Sequence, residues 1–352
     1  MKTNEIHAIG LMSGTSLDGL DLVYVKFVYK GTYQFEILAQ ETVKYSDQWR
    51  VKLQQAIHLD SDGLNELDLE YGTFLGEKVN DFIRKNDLQQ IDFVASHGHT
   101  VFHQPNQGIT KQIGDGQKIA DITLQKVICD FRTQDVQYGG QGAPLVPIGD
   151  RLLFSEFDAC VNLGGFANIS FERGIERIAY DICPVNVVLN HFSQKLGFEY
   201  DADGVLSSKG SINHEVLTRL NALKFYAELP PKSLGIEWVQ EFVFPIISTI
   251  ENEHDALRTY TEHIAMQIAS NIQGTQNALF TGGGVFNTFL MDRMRSLSSS
   301  QIVIPDETTI DYKEALIFAF LGLLKSKNKV NCLASVTGAK ADHSSGKIFT
   351  PN

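Results

Sequence analysis

The sequence predicts an α/β protein of two lobes, each opened by a β-hairpin with a polar, glycine-containing tip. Three observations carry this reading. Apolar runs bracket Ser13-Gly14-Thr15-Ser16-Leu17-Asp18-Gly19 near the start of the chain. A second bracketed tip, Gly164–Gly165, stands in "ACVNLGGFANISFE" near the middle. Between and after them, short β-branched runs alternate with helical periodicity, the pattern of α/β domains with antiparallel hairpins mixed in. Two hairpins opening two halves suggest a duplicated architecture, although any two hairpins look alike at this level.

The elements follow in order. Residues 6–12 and 20–28 read as the first two strands, rich in β-branched and aromatic residues. Leu67, Tyr71, Phe74, Leu75, Val79 and Phe82 recur at helical spacing, so a helix is expected over 64–85. "IDFVASHGHTVFHQP" reads as a strand running into a flexible loop, and "KVICDFRTQD" as a short strand. The Gly/Pro-rich segment 136–150 reads as a crossover between lobes. After the second hairpin, "RIAYD" is a strand ending at Asp181, with helices expected over 187–196 and 211–222. "TEHIAMQIASNI" is a further helix, "NALFTGGG" a strand, and "VFNTFLMDRMRSL" a helix. "QIVIP" and "YKEALIFAFLGLLK" close the pattern as strand and helix, and part of the tail from Asn331 can tie down as a strand. The first lobe is expected over residues 1–135 with about 311–352, and the second over 136–310.

Composition narrows the function classes. The chain has 352 residues, 43% hydrophobic and 20% charged, enough for large cores. Its formal charge of −12 argues against nucleic acid or an anionic membrane as partner, since both reward clustered Lys and Arg. An anionic ligand stays possible in a local glycine-rich turn. Cys129, Cys160, Cys183 and Cys332 are scattered without a C-x-x-C, which argues against a disulfide framework or a structural zinc site. No apolar stretch suits a signal peptide or a membrane span, so the cytoplasm is expected.

Phosphate binding needs close backbone N–H donors and little side-chain bulk. The turns at 13–19, 164–165 and 281–284 offer this, each after an apolar strand. None matches the P-loop or the dinucleotide fingerprint. Tight-turn geometry alone would explain any one of them; three together suggest a nucleotide held between two lobes. Asp181 at a strand end suits a general base, and a turn or capping Asp accounts for it equally on local grounds. Glu314, near the start of an apolar helix, is either a dipole partner or a ligand contact. His97, His99 and His103 tempt a metal reading, but no carboxylate or Cys accompanies them at ligand spacing. Hydrogen bonding to a sugar or water suits them better, and no metal ligand set is assigned. "DADG" at 201–204 fails as a calcium loop because Ile212 stands where its glutamate belongs.

Taken together, these motifs resemble the anhydro-N-acetylmuramic acid kinases of the actin, heat-shock-chaperone and sugar-kinase superfamily. "GLMSGTSLDGLD", "HGHTVFHQP", "QIGDG", "DFRTQDV", "GGQGAPLVP", "NLGGFANI", "PPKSLG", "TGGGVFN" and "EALIFAF" stand in the family's order and cover most of the chain. The resemblance implies a two-lobed actin-like ATPase fold, ribonuclease H-like, with a cleft between duplicated lobes. It implies an ATP-dependent enzyme, with Mg²⁺, that opens a 1,6-anhydro amino sugar from recycled peptidoglycan with water and phosphorylates O6. Asp181 would be the catalytic base. Gly14, Thr15, Ser16, Leu17, Asp18, Gly19 and Asp21 would form the first nucleotide loop. Asn162, Gly164, Gly165 and Asn168 would form the second, and Gly282, Gly283, Gly284 and Asn287 the adenosine pocket. Ser13, His97, His99, Gln112, Asp115, Arg132, Asn186 and Glu314 would surround the sugar. The implied partners are ATP and a small amino sugar, with no nucleic acid or membrane, and a homodimer is allowed.

The chain departs from the family in three places. Where the family has Asp-Thr-Gly-Pro-Gly-Asn, this chain has Asp181-Ile182-Cys183-Pro184-Val185-Asn186. Glycines beside a base permit special backbone geometry, so this turn is where the chain is expected to differ. His99 replaces a usual Gln, and Leu234 and Ile236 replace a usual Thr and Arg. Two rival readings follow: a kinase of the same fold for another small sugar, or a nucleotide-driven conformational ATPase.

Overall fold

A computed structural model describes residues 5–14 and 17–352. Its strands are β1 (Ile6–Ser13), β2 (Gly19–Tyr29), β3 (Tyr33–Lys44), β4 (Phe93–Gln104), β5 (Ile109–Ile113), β6 (Val127–Cys129), β7 (Ala159–Leu163), β8 (Phe166–Arg173), β9 (Glu176–Pro184), β10 (Asn277–Thr281), β11 (Gln301–Val303) and β12 (Lys347–Phe349). The chain divides into two compact units, Met1–Leu153 with Tyr312–Asn352, and Phe154–Asp311. The Gly/Pro-rich segment 136–150 thus lies inside the first unit.

The two sheets repeat one topology. In the first unit the order is β12-β6-β4-β1-β2-β3, with β5 paired to β4; in the second it is β11-β10-β7-β8-β9. Without β5 and β12, each sheet is an antiparallel meander of three strands followed by two parallel ones on the far side of the first. This is the order of a ribonuclease H-like sheet, present twice. The duplication suggested by the two hairpins is therefore carried by strand order and direction.

Local chemistry explains the elements. The first long helix runs over Ser61–Lys85, where the Asp60 side chain caps the Gly63 N–H at 2.9 Å. Its buried face of Leu67, Tyr71, Leu75, Val79 and Phe82 packs with Ile9, Leu11, Leu20 and Leu22 from the sheet. The Glu307–Ser326 helix lies tightly on β1: a Cβ on Gly10 would stand 2.1 Å from the Ala315 carbonyl oxygen. In the second unit, Tyr260 and Ile264 of the Glu253–Asn271 helix pack with Val161, Ile169, Ile182 and Phe280. All four cysteines are buried, reduced thiols. Among the described residues no helix is long and apolar enough to cross a membrane.

Three expectations change. β3 is an added strand, exposed on alternate residues, that the sequence reading does not contain. The histidine segment is not a flexible loop: His97, His99 and His103 all lie in β4, because β5 pairs alongside and extends the ladder. Nor does Asp181 end its strand, since β9 continues to Pro184.

Candidate active site

In the first unit the hairpin tip spans residues 14–18, between the end of β1 and the start of β2. Thr15 and Ser16 lie outside the described residues. Leu17 adopts φ 61°, uncommon for a branched side chain, and its N–H donates to the Gly14 carbonyl at 3.3 Å. Gly19 is required by its neighbour, because a Cβ there would stand 2.7 Å from the Val43 carbonyl oxygen. Asp18 is exposed. Asp21 is half-buried and accepts the Thr42 hydroxyl at 2.6 Å.

Behind the tip a directed hydrogen-bond chain ends on a histidine. Tyr45 donates to Ser13 Oγ at 2.7 Å, and its own oxygen lies 2.5 Å from the Tyr71 hydroxyl. Ser13 Oγ lies 3.0 Å from His99 Nδ1. Tyr71 donates to Tyr45, whose own hydrogen goes to Ser13, and the sense of the Ser13–His99 bond follows the imidazole tautomer. Burial holds His99 neutral, down to about 4. Gly98, at φ 72°, lets β5 pass: a Cβ would meet the Ile113 carbonyl oxygen at 2.5 Å.

His97 is fixed more tightly. Its Nδ1 lies 2.9 Å from the Gly98 carbonyl, which can only accept, so Nδ1 carries the hydrogen. Nε2 then accepts from Arg132, at 3.1 Å from Nε and 2.9 Å from a terminal nitrogen. Burial first, and the Arg132 charge second, push the imidazolium well below the ordinary histidine range. Arg132 also donates to the Gly142 carbonyl at 2.7 Å. Desolvation lowers its guanidinium to about 10, opposed chiefly by Glu314. Glu314 is reached by solvent, yet the protein around it still disfavours its charge. Its carboxyl is raised by desolvation, with Arg132 and Lys313 opposing.

His97, Gln112 and Asp115 line one cavity of about 290 Å³ within this unit, together with Lys111 and Thr133. Gln112 donates to Thr110 at 3.0 Å, while its side-chain oxygen is buried without a partner. Asp115 caps the Gly116–Thr123 helix through the Lys118 N–H at 2.7 Å. His103, near the end of β4, pairs at 3.3 Å with the same Thr110 hydroxyl that Gln112 contacts, and burial first and the Arg132 charge second lower its pKa.

In the second unit, Asp181 is half-buried on β9, opposite Asn168 of β8. Its Oδ2 accepts the Leu234 N–H at 2.8 Å, and its own N–H donates to the Lys232 carbonyl at 3.2 Å. Desolvation raises its pKa, and the Leu234 bond opposes this. A carboxylate held by one donor and raised by burial has the character of a general base. The altered turn is absorbed by the core: Ile182, Cys183 and Val185 are fully buried. Val185 adopts φ −124° and ψ −93° at the start of the Asn186–Lys195 helix. Leu234 keeps the contact to Asp181 because a backbone N–H supplies it, so the missing threonine hydroxyl does not touch that bond.

The second hairpin tip is fastened to this turn. Val185 and Val187 donate to the Gly165 carbonyl at 2.8 and 3.4 Å, and Asn186 donates to that of Gly164 at 3.3 Å. Asn168 is exposed on β8, and Asn162 half-buried on β7. The third glycine turn packs on the same strand end. A Cβ on Gly282 would meet Asn162 Oδ1 at 2.6 Å, and one on Gly284 would meet Leu163 Cβ at 2.8 Å. Gly283 faces open space. The Asn287 side chain caps the Thr288–Leu297 helix through the Leu290 N–H at 2.9 Å. Asp201 of the discarded calcium pattern accepts two local N–H groups, from Leu206 and Ser207.

Sequence reasoning misses Tyr45 as support for Ser13, the Gly142 carbonyl behind Arg132, and the 232–234 segment that clasps Asp181. The first two contacts span 32 and 10 residues, with no local pattern to mark them. "PPKSLG" marks the third segment but not the contact it makes.

Known proteins resemble this chain over nearly its whole length. Residues 6–351 match the family model described as anhydro-N-acetylmuramic acid kinase. A protein of that description from Mannheimia succiniciproducens is 34% identical, with 97% of this chain and 98% of the relative covered. One from Zymomonas mobilis is 33% identical, covering 97% and 99%. One from Bacillus cereus is 30% identical, covering 98% and 100%.

Proposed function

This chain belongs to the anhydro-N-acetylmuramic acid kinase family, and from that premise we propose how its own residues carry out the reaction. The enzyme is a sugar kinase that uses ATP and water to convert 1,6-anhydro-N-acetylmuramic acid into N-acetylmuramic acid 6-phosphate and ADP. The observation that carries the residue-level reading is Asp181, a carboxylate of raised pKa clasped by the Leu234 N–H.

Asp181 takes a proton from a water directed at C1 of the sugar. The C1–O bond to water forms as the C1–O6 bond breaks, and the electron pair goes to O6. O6 attacks the γ-phosphorus in line, and the bond from that phosphorus to the bridging oxygen breaks to release ADP. No acid is needed at O6, because phosphorus captures it. Ser13, His97, His99, Arg132 and Glu314 hold the sugar. His99, through the ring nitrogen not paired with Ser13, and the Ser13 hydroxyl can exchange hydrogen bonds with sugar hydroxyls without adding charge, while His97, with both ring nitrogens engaged, holds Arg132 in place. Arg132 uses three of its five N–H groups inside the protein, leaving two for the ligand. The tips at 14–18 and 164–165 and the open Gly283 offer backbone N–H groups to the nucleotide.

Mg²⁺ belongs to this reading as a neutraliser of phosphate charge. Asp18 and Asp21, oxygen donors at the first tip, fit the one or two carboxylates that Mg²⁺ takes beside phosphates and water. A cytoplasmic location and a homodimer complete the proposal. Incubation with the anhydro sugar, ATP and Mg²⁺ in ¹⁸O water, followed by mass spectrometry, tests it. The expected product is a 6-phosphorylated sugar labelled at C1. Unlabelled product would remove water attack at C1, and no product with ATP intact would move the substrate to another small sugar.

A further inference from the structure

Asp135, Cys332 and His343 are remote in sequence but meet inside the first unit, with one ligating atom of each within 4.8 Å of the others. They are 0%, 1% and 7% exposed. Asp135 Oδ2 is spoken for by the Gly142 N–H at 2.7 Å. Oδ1 is the focus of the cluster: Cys332 Sγ lies 2.9 Å from it, Thr337 Oγ1 2.8 Å and His343 Nε2 3.6 Å.

His343 makes this more than a buried capping aspartate. Its Nδ1 lies 3.0 Å from the Ala341 carbonyl, which can only accept, so the ring hydrogen sits on Nδ1. Nε2 is buried without a hydrogen-bond partner and faces the Asp135 carboxylate. A neutral ring in this tautomer would aim a lone pair at a carboxylate oxygen. A positive charge between them, a proton or a metal cation, removes that conflict. The donor set decides between the two. A thiol converges on the same oxygen, and a ring nitrogen whose other N–H is held by a backbone carbonyl is the usual state of a metal-bound histidine.

We propose that Asp135, Cys332 and His343 bind a divalent transition-metal ion of the zinc class, with the Thr337 hydroxyl or a water as fourth donor. Sulfur, imidazole and carboxylate together suit zinc, and they exclude Mg²⁺ and Ca²⁺, which take oxygen ligands. Binding forms the metal–sulfur bond and releases the thiol proton to solvent. The site joins the 331–343 stretch to the short helix Thr133–Gln137, and no residue of the phosphoryl-transfer proposal takes part. Sequence spacing hides it, because the fold, not a C-x-x-C motif, brings residues 135, 332 and 343 together.

Full-length protein produced in Co²⁺-supplemented medium, so that the metal is present as the chain folds, gives the test. The expected result is one Co²⁺ per chain after dialysis, with a thiolate-to-cobalt charge-transfer band that Zn²⁺ abolishes by displacement. Cys332→Ser, checked for native circular dichroism, should lose the band. Its metal affinity should fall more than about 100-fold, beyond the cost of losing an outer-shell partner alone. His343→Gln should weaken binding similarly, and Zn²⁺ should raise the Tm of the unaltered protein but not of Cys332→Ser. Metal content far below one per chain in the unaltered protein overturns the proposal. A band that persists in Cys332→Ser overturns it equally.

Discussion

The tip between β7 and β8 is held from outside itself: Val185, Asn186 and Val187 donate to the carbonyls of Gly164 and Gly165. The tip between β1 and β2, at the equivalent place in the other sheet, is spanned by an internal bond from Leu17 to Gly14. The units diverge further in their polar groups. The first gathers Ser13, His97, His99 and Arg132 into a network of hydrogen bonds, while the second offers one carboxylate clasped by one N–H. On the function proposed above, one topology serves two chemistries: the first unit would recognise with several hydrogen-bonding groups, and the second would react through a single group whose proton affinity burial has raised.

Removing the reactive group is the sharpest way to break this contrast. Asp181→Asn should lower kcat by about 10²–10⁴ while nucleotide binding is unchanged. Turnover near the unaltered level would leave the second unit with backbone contacts alone. The pH profile adds a sign. Asp181 works deprotonated and its pKa is raised, so kcat/KM should fall with acid at a higher pH than an ordinary aspartate would give.

Next in size is the recognition side. Arg132→Gln removes charge-assisted bonds of about 1.5–3 kcal/mol, so KM for the sugar should rise roughly 10–100-fold with a smaller change in kcat. An equal loss in kcat would move Arg132 into the reacting group of residues.

Acid should then act on the first unit through its histidines. His99 has a folded pKa of about 4, below its unfolded value, so the unfolded chain takes up the proton first. Its contribution is present above about pH 6.5 and lost as pH falls towards 4, about 2 kcal/mol by pH 5. His97 shifts in the same direction. Urea unfolding at pH 7 and pH 5 should show the loss, and His99→Gln should reduce it.

The smallest effect separates the two tips. Gly165→Ala puts a Cβ 3.1 Å from Val187 Cγ1 and should cost about 1 kcal/mol of stability. Gly14→Val should instead raise the nucleotide Kd about tenfold, about 1.4 kcal/mol. A destabilised Gly14→Val with unchanged Kd would make the first tip structural as well.

Both hairpins and most helices are legible in the sequence because their signals are local: period-two or period-3.6 apolar spacing, with glycine or a capping side chain at the ends. β3 alternates cleanly but carries Gln34, Glu36 and Gln40 on its exposed face, so it lacks the apolar run that marks the other strands. The histidine segment reads as a loop because Gly98 interrupts it. Only the partner strand β5, ten residues further on, shows that the glycine makes room rather than flexibility. As a candidate, Asp181 was legible by residue type and Arg132 only through the family resemblance. The atoms that touch them were not, since a Leu234 N–H or a Gly142 carbonyl leaves no spacing to read.

That placement of His97 and His99 on a paired strand bears on how such an enzyme can diversify. A loop site can be reshaped by lengthening or shortening the chain. Here one inserted or deleted residue in β4 would shift the strand's register and take both imidazoles from their neighbours, His97 from Phe318 and His99 from Tyr71. Descendants of this sequence that take new substrates are therefore confined to exchanging side chains at fixed positions, while length variation is confined to segments outside the strand.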